Sequence, residues 1–283
     1  MPWPPAEHLA PMPTVLFGPR PDQTTTGWPR RWTAADNIPK VTTSVGQVEV
    51  EYRQVRFRRP PGSTELLLVR HGESMPARAG EPFPLVDGQG DPDLSPRGWA
   101  QAECVARRLG SEHLDAIYVT TLRRTAQTAG MLARQLGITP RVAADLREVH
   151  LGEWEGGLFR RMVAENHPIA QRMHTEQRWD VIPGAEPADR FAARVGAAVE
   201  RLAADHPDQR VAVFTHSGVI GQILALASGA RTLAFAGADN GSISQVVVTG
   251  PRWVVRGFND VTHLTVDRSP AVGQAPALDS VLS

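Results

Sequence analysis

The 283-residue chain has little of what usually identifies a disulfide-bonded, nucleic-acid-binding or membrane protein. It holds one cysteine, Cys104, and one lysine, Lys40, and its 30 basic residues are balanced by 30 acidic ones. An intrachain disulfide and a thiolate metal cluster are therefore excluded, and no net charge favours binding to nucleic acid. No apolar run approaches the length of a membrane span, and no secretory signal pattern is found. These absences predict a soluble, cytoplasmic protein with neither nucleic acid nor membrane as a partner.

The two ends of the chain differ in composition from its centre. Residues 1–60 are rich in Pro, Gly, Thr and Arg, which predicts an N-terminal arm that is disordered or lies over a surface. Alternating apolar residues within 47–59 predict an edge strand with a bulge or a turn. Residues 61–264 are predicted to form the main domain, and 265–283 a polar, disordered tail.

Short apolar runs alternate with amphipathic stretches through the main domain. The runs at 66–69, 117–119 and 210–215 predict strands buried on both faces, and the stretches that follow them predict helices. Two late runs separated by Gly250-Pro251 predict an antiparallel edge hairpin. Strands that alternate with helices in this way predict an α/β fold, a three-layer α/β/α sandwich with a mostly parallel central sheet.

Arg70, His71 and Gly72 directly follow the first apolar run, where the strand is predicted to leave the sheet. Ligands of open α/β folds bind at the carboxyl ends of the strands. A cation, a titratable nitrogen and a flexible backbone together suit a phosphate group. The same residues also fit an ordinary strand that ends in polar side chains, so further motifs must decide between the two.

A second histidine, His216, ends a later strand and opens a helix, whose free N–H groups favour an anion. Between the two histidines, Arg123 and Arg124 follow another strand, so one of this pair can point over the strand ends. An ordinary histidine near a helix start and a solvated basic turn are the alternatives. Because two histidines occupy matching strand ends, the pattern favours an anion pocket.

Three glutamates, Glu148, Glu153 and Glu155, lie in and beside a glycine-rich stretch. A carboxyl group near a phosphate pocket can donate a proton if its surroundings keep it protonated. The residue pattern alone leaves all three open, together with the alternative of a surface glutamate. No pair of histidines has the spacing of metal ligands, so no metal site is predicted.

These motifs resemble, in order, those of the histidine phosphatase superfamily, the phosphoglycerate-mutase-like group. The family patterns RHGE[ST], SPLxRAxQTA, LxE…GxWEG and SHGG match residues 70–74, 120–129, 146–156 and 215–218. The likeness extends over roughly residues 65–258. It implies a phosphoglycerate-mutase-like fold, with 61–264 as a histidine phosphatase catalytic domain of the phosphatase branch.

The resemblance implies a metal-independent phosphomonoesterase of the histidine acid phosphatase type, acting without a cofactor on a phosphorylated small molecule. His71 would form a phosphohistidine, and Glu148 would protonate the leaving alcohol and then deprotonate water. The pocket arginine would be Arg124 rather than Arg123. The candidate catalytic residues are Arg70, His71, Arg124, Glu148 and His216, and the candidate substrate contacts are Arg70, Ser74, Arg124, His216 and Ser217.

Two other functions stay open: a phosphotransferase of the phosphoglycerate mutase type, and a catalytically weak phosphate-binding or scaffold protein. Ala77 stands where the family often has asparagine, which leaves one phosphate contact without its usual residue. Substrate specificity is expected to come from the loop 75–93 and the segment 158–179. Association into a homo-oligomer, through the late hairpin or the arm, is a further open expectation.

Overall fold

The computed structural model describes residues 54–267. Most of the predicted arm and the predicted tail after Asp267 therefore lie outside the described residues. The predicted domain boundaries stay predictions.

Strands and helices alternate along the described residues. The strands are β1 (Thr64–Arg70), β2 (Leu85–Val86), β3 (Gln89–Gly90), β4 (Ala116–Val119), β5 (Arg141–Val142), β6 (Arg210–Thr215), β7 (Ile243–Thr249) and β8 (Arg252–Asp260). The α-helices are α1 (Pro96–Leu109), α2 (Arg123–Leu136), α3 (Leu158–Ala164), α4 (Pro168–Glu176), α5 (Ala188–Asp205) and α6 (Ser217–Ser228). Short 3-10 helices span Ala144–Leu146, Gly152–Trp154 and Thr262–Asp267.

Among residues 54–267, six strands form one sheet in the order β5-β4-β6-β1-β7-β8. The pairs β5–β4, β4–β6 and β6–β1 are parallel, whereas β1–β7 and β7–β8 are antiparallel. The late hairpin therefore forms one edge of a mostly parallel sheet. The predicted α/β/α class is confirmed.

Helices cover both faces of the sheet, and β1 shows why its sequence is apolar without interruption. Leu66 and Leu68 pack into a core cluster with residues of α5 and α6. Leu67 and Val69 pack on the opposite face, with residues of α1 and α2. All four side chains are buried, so β1 is held from both sides and its last residues are fixed in position.

Two predicted features differ from the structure where it describes them. Residues 54–59, within the predicted edge strand, have no regular secondary structure. Phe57 does not pair into the sheet; its half-exposed ring instead lies 4.0 Å from the Arg256 guanidinium carbon. At the other end, 265–267 of the predicted tail belong to a 3-10 helix. No helix in the described part of the chain combines the length and apolar character of a membrane span.

Candidate active site

The carboxyl ends of β1 and β6 lie side by side and bring two histidines together. Their parallel register pairs Arg70 with Thr215, and the backbone N–H of His71 donates to the Thr215 carbonyl at 3.0 Å. His71 and His216 follow directly, with ring centroids 5.2 Å apart. Both side chains are buried. Adjacent strands thus deliver both imidazoles to the same edge of the sheet.

The tautomer of His71 follows from its two ring contacts. Its Nδ1 lies 2.7 Å from the carbonyl oxygen of Gly72, which can only accept, so Nδ1 carries the hydrogen. The Nε2 lone pair then accepts from Nε of Arg124 at 3.1 Å. Burial, followed by the charges of Arg124 and Arg70, holds the pKa of His71 well below its usual value. His71 is therefore a neutral imidazole whose nucleophilic nitrogen faces a cation.

Arg123 and Arg124 begin α2, and their side chains have different partners. Arg123 turns outward, and its backbone N–H and Nε each donate to the carboxylate of Asp91 at 2.8 Å. Arg124 turns inward, and its Nη1 donates to the Gly90 carbonyl at 2.8 Å. Burial lowers the pKa of Arg124 to about 10, which leaves it charged at neutral pH. Of the two arginines, Arg124 is the one directed at His71.

His216 is fully buried and lies behind Arg124. Its Nδ1 is 3.3 Å from Nη2 of Arg124, and its Nε2 is 3.0 Å from the hydroxyl of Thr120. A guanidinium can only donate, so Nδ1 is the acceptor and Nε2 carries the hydrogen. Burial and then the charge of Arg124 hold the pKa of His216 well below its usual value. In this arrangement the neutral ring orients Arg124.

Two threonine hydroxyls fix the tautomer of His216. Thr125 Oγ1 donates to the Leu122 carbonyl at 2.8 Å and accepts from the Thr120 backbone N–H at 3.0 Å. The hydroxyl of Thr120 donates to Thr125 Oγ1 at 3.2 Å, which leaves Thr120 Oγ1 as the acceptor for His216. The family pattern SPLxRAxQTA has serine and alanine at the positions of Thr120 and Thr125. In the structure, the Thr125 hydroxyl instead completes a chain of three side chains.

Glu148 follows the 3-10 helix Ala144–Leu146 and is held by two backbone N–H groups. Its Oε1 accepts from Val149 at 3.0 Å, and its Oε2 accepts from Gly218 at 3.1 Å. Burial raises the pKa of Glu148, while these hydrogen bonds and the charges of Arg124 and Arg70 oppose the rise. A Cβ on Gly218 would lie 2.4 Å from Oε1, so the carboxyl needs a glycine there.

The structure separates the three glutamates that the residue pattern leaves open. Glu153 is exposed. The carboxylate of Glu155 accepts from the backbone N–H groups of Leu151 and Gly90, both at 2.8 Å. Glu155 thus holds two loops together. Glu148 is the glutamate that combines a raised pKa with a place in the cavity beside His71.

Two cavities meet at Arg70 and His71. One, of about 560 Å³, is also lined by Arg124, Glu148 and Ser217. The other, of about 1170 Å³, is lined by Ser74 among others. Ser74 and Ser217 thus line different cavities. Neither cavity wall includes His216.

The guanidinium of Arg70 is only partly satisfied. One Nη donates to the carbonyl of Ala238, but the buried Nε has no partner among the described residues. Burial lowers the pKa of Arg70. A buried cation with a free donor beside His71 is what an anion-binding cavity requires.

Arg160 is a cavity residue that sequence reasoning missed. It belongs to α3 and lines both cavities. Its Nη2 donates to Ser74 Oγ at 2.7 Å, so the hydroxyl of this candidate substrate contact is already bound within the protein. The available signal was an arginine pair, Arg160-Arg161, that follows Gly156-Gly157 after two apolar residues. Within 54–267, no three His, Cys, Asp or Glu side chains are placed to hold a metal ion.

Comparisons of this chain with known proteins agree on one family. The profile of the histidine phosphatase superfamily (branch 1) matches residues 66–261. A metal-independent phosphoserine phosphatase from Arabidopsis thaliana is 36% identical over 210 residues, covering 71% of this chain and 84% of that protein. Phosphoglycerate mutase-like protein 4 from the same plant is 31% identical over 208 residues, covering 71% and 86%. The solved mycobacterial glucosyl-3-phosphoglycerate phosphatase is 29% identical with a TM-score of 0.58, covering 69% of this chain and 98% of that one. The chain therefore belongs to the histidine phosphatase superfamily.

Proposed function

We propose that the protein is a metal-independent phosphomonoesterase that hydrolyses a phosphorylated small metabolite through a phosphohistidine. The observation that carries this proposal is the state of His71. Its neutral ring directs the Nε2 lone pair at Arg124, in a cavity that also holds a carboxyl group with a raised pKa, Glu148. A nucleophile, a cation and a proton donor thus share one cavity.

In the first step, Nε of Arg124 turns from His71 to the phosphoryl group, the released Nε2 lone pair attacks phosphorus, and the bond from phosphorus to the ester oxygen breaks. The protonated carboxyl of Glu148 gives its proton to the departing oxygen, so an alcohol leaves and a carboxylate remains. The raised pKa of Glu148 supports this role, because it keeps a larger fraction of the carboxyl protonated. The Nδ1 hydrogen bond to Gly72 stabilises the charge that develops on the ring.

In the second step, water attacks the phosphohistidine. The carboxylate of Glu148 accepts a proton from that water, the bond from nitrogen to phosphorus breaks, and inorganic phosphate forms. His71 recovers its lone pair and Glu148 its proton, so the site returns to its first state. The same carboxyl acts as acid and then as base, and the phosphohistidine intermediate splits one displacement into two.

The phosphoryl oxygens are assigned to Arg70 and Arg124, whose charges stabilise the transition state. The unpartnered Nε of Arg70 supports this assignment. His216 acts through Arg124 in the present geometry. Direct contact between His216 and the phosphoryl group requires the Arg124 guanidinium to move off Nδ1. That contact, and those of Ser74 and Ser217, remain part of the proposal.

The names of the relatives support the substrate class. These relatives are named for phosphoserine and for glucosyl-3-phosphoglycerate, which are small phosphate monoesters. We assign a substrate of that kind to this protein, in a reaction of the histidine acid phosphatase type with a carboxyl proton donor.

The experiment is phosphate release from an aryl phosphate in the presence of a chelator, compared between the wild type and His71→Ala. We expect turnover and vanadate inhibition in the wild type, loss of turnover in His71→Ala, and an acid-labile phosphoenzyme that the variant does not form. His113→Ala is the matched control, because its side chain is 87% exposed. Full activity of His71→Ala would contradict the mechanism.

The same assays separate the other two functions. A phosphoglycerate mutase would isomerise phosphoglycerate in a bisphosphate-dependent reaction, as the name of the mutase-like relative suggests. A binding or scaffold protein would retain phosphate esters without forming a phosphoenzyme. Hydrolysis without isomerisation distinguishes the phosphatase from both.

A further inference from the structure

Arg160 is fixed in one place on the wall that the two cavities share. Its Nη1 donates to the carbonyl of Met75 at 2.8 Å and its Nη2 to Ser74 Oγ at 2.7 Å. Its guanidinium carbon lies 5.1 Å from the centroid of the Phe83 ring. Two hydrogen bonds and an aromatic face thus hold the group rigidly. A guanidinium has five N–H donors, so three are left.

Apart from Arg70, which is assigned to the phosphoryl group, Arg160 differs from the other arginines of α3 and the larger cavity in having no carboxylate partner within the residues that the structure describes. Three of these arginines have a carboxylate partner: Arg78–Glu81 at 3.7 Å, Arg97–Glu73 at 3.7 Å and Arg161–Glu165 at 2.7 Å. Within 54–267, no carboxylate lies within 4.0 Å of the Arg160 guanidinium, and burial lowers its pKa. The charge of Glu73 opposes this lowering only from beyond 4.0 Å, so Arg160 is a cation partly removed from water with no counter-charge in contact among residues 54–267, and it favours an anionic ligand.

The place of Arg160 favours the leaving group over the phosphoryl group. Arg124 contacts His71 Nε2 directly, at 3.1 Å, whereas the two Nη atoms of Arg160 are bound at Ser74 and Met75. Arg160 and Glu148 line the same smaller cavity. An alcohol that takes a proton from Glu148 therefore leaves within the space that Arg160 borders.

We propose that Arg160 binds a carboxylate on the leaving group, so that the preferred substrates are phosphate esters of hydroxy acids or hydroxy amino acids. This inference rests on the proposed phosphatase function and names its substrate class. A carboxylate would accept from the free N–H groups of Arg160 and supply the missing counter-charge. The α3 segment would then act in specificity rather than in the chemical step.

The test compares pairs of substrates that differ only in the carboxylate: phosphoserine with phosphoethanolamine, and 3-phosphoglycerate with glycerol 3-phosphate. In the wild type, kcat/KM should favour the carboxylate member of a pair by at least about 10-fold, the value of one hydrogen bond to a charged group. In Arg160→Gln the ratio within that pair should fall by about 10- to 100-fold, mainly through KM. Arg160→Lys should recover part of the ratio, because it keeps the charge but not the planar fork.

Arg161→Gln is the matched control, because this neighbouring arginine is paired with Glu165 and borders the larger cavity but not the smaller one. Its substrate ratios should equal those of the wild type. The carboxylate site would be overturned if Arg160→Gln leaves the substrate ratios unchanged, or if it lowers kcat/KM equally for both members of each pair. Turnover of an aryl phosphate by the wild type would show that the phosphatase function itself still holds. Absence of phosphate release from every ester by the wild type would instead overturn the phosphatase function, and the inference with it.

Discussion

The hydroxyl of Thr125 lies 3.2 Å from that of Thr120 and accepts its hydrogen. Thr120 Oγ1 therefore accepts from Nε2 of His216, which leaves Nδ1 free to accept from Arg124. One methyl-bearing side chain on α2 thus decides which ring nitrogen of a buried histidine faces the cavity arginine.

Thr125→Ala should lower kcat/KM by about 5-fold, because the loss of one net hydrogen bond, about 1 kcal/mol, also frees the Thr120 hydroxyl to rotate. Thr125→Ser keeps the hydroxyl and should restore the rate. The measurement is kcat/KM on an aryl phosphate together with the free energy of unfolding of each variant. If Thr125→Ser is as slow as Thr125→Ala at equal stability, the hydroxyl does not orient His216.

Glu148→Gln should affect substrates according to their leaving group. An amide cannot donate the proton that an alkoxide needs, so phosphoenzyme formation from an alkyl phosphate should slow by about 100- to 10,000-fold. A nitrophenolate leaves without a proton, so phosphoenzyme formation from nitrophenyl phosphate should slow by less than about 10-fold. Single-turnover kinetics measure this step separately from hydrolysis. Equal slowing with both substrates would show that Glu148 is not the acid.

The pH dependence of kcat/KM should reflect two pKa values that are shifted in opposite directions. His71 must be neutral, and its lowered pKa extends its neutral range below the ordinary value of 6.5. Glu148 must be protonated, and its raised pKa extends the protonated range above the ordinary value of 4.5. With an alkyl phosphate, kcat/KM should fall on the alkaline side as Glu148 ionises. The Glu148→Gln variant shows how much of this fall comes from ionisation of the substrate itself. If its kcat/KM falls on the alkaline side in the same way as that of the wild type, Glu148 is not the group that ionises.

Gly218→Ala should displace the carboxyl group of Glu148. The added Cβ would lie 2.4 Å from Oε1, so the carboxyl must turn and lose its bond to the Gly218 N–H. Turnover of an alkyl phosphate should fall by at least about 10-fold, because a displaced carboxyl is no longer in place to protonate the leaving oxygen. Gly196→Ala is the control, because its Cβ would meet Leu226 at an ordinary 3.6 Å and α5 should gain about 0.5–1 kcal/mol. Wild-type turnover in Gly218→Ala would show that the carboxyl does not need this space.

The sheet and the strand-end histidines could be predicted because they depend on local patterns. An uninterrupted apolar run such as 66–69 requires burial on both faces, and parallel strands place their last residues at one edge. The choice of Glu148 among three glutamates came from the family resemblance, because neither exposure nor backbone hydrogen bonds can be deduced from residue order. Arg160 could not be predicted, since its role depends on contacts with Ser74 and Met75, about 85 residues earlier in the chain.

The small hairpin β2–β3 lies within the loop 75–93 that was expected to set specificity. Its Gly90 carbonyl accepts from Arg124, and the Gln89 side chain donates to the backbone carbonyl of Glu148 at 2.7 Å. The loop that borders the two cavities therefore also braces Arg124 and Glu148, the proposed phosphoryl ligand and proton donor. Substrate range and catalytic rate cannot vary independently in such an architecture. A loop exchanged from another family member would bring its own influence on turnover, and new specificities would evolve together with changes in rate.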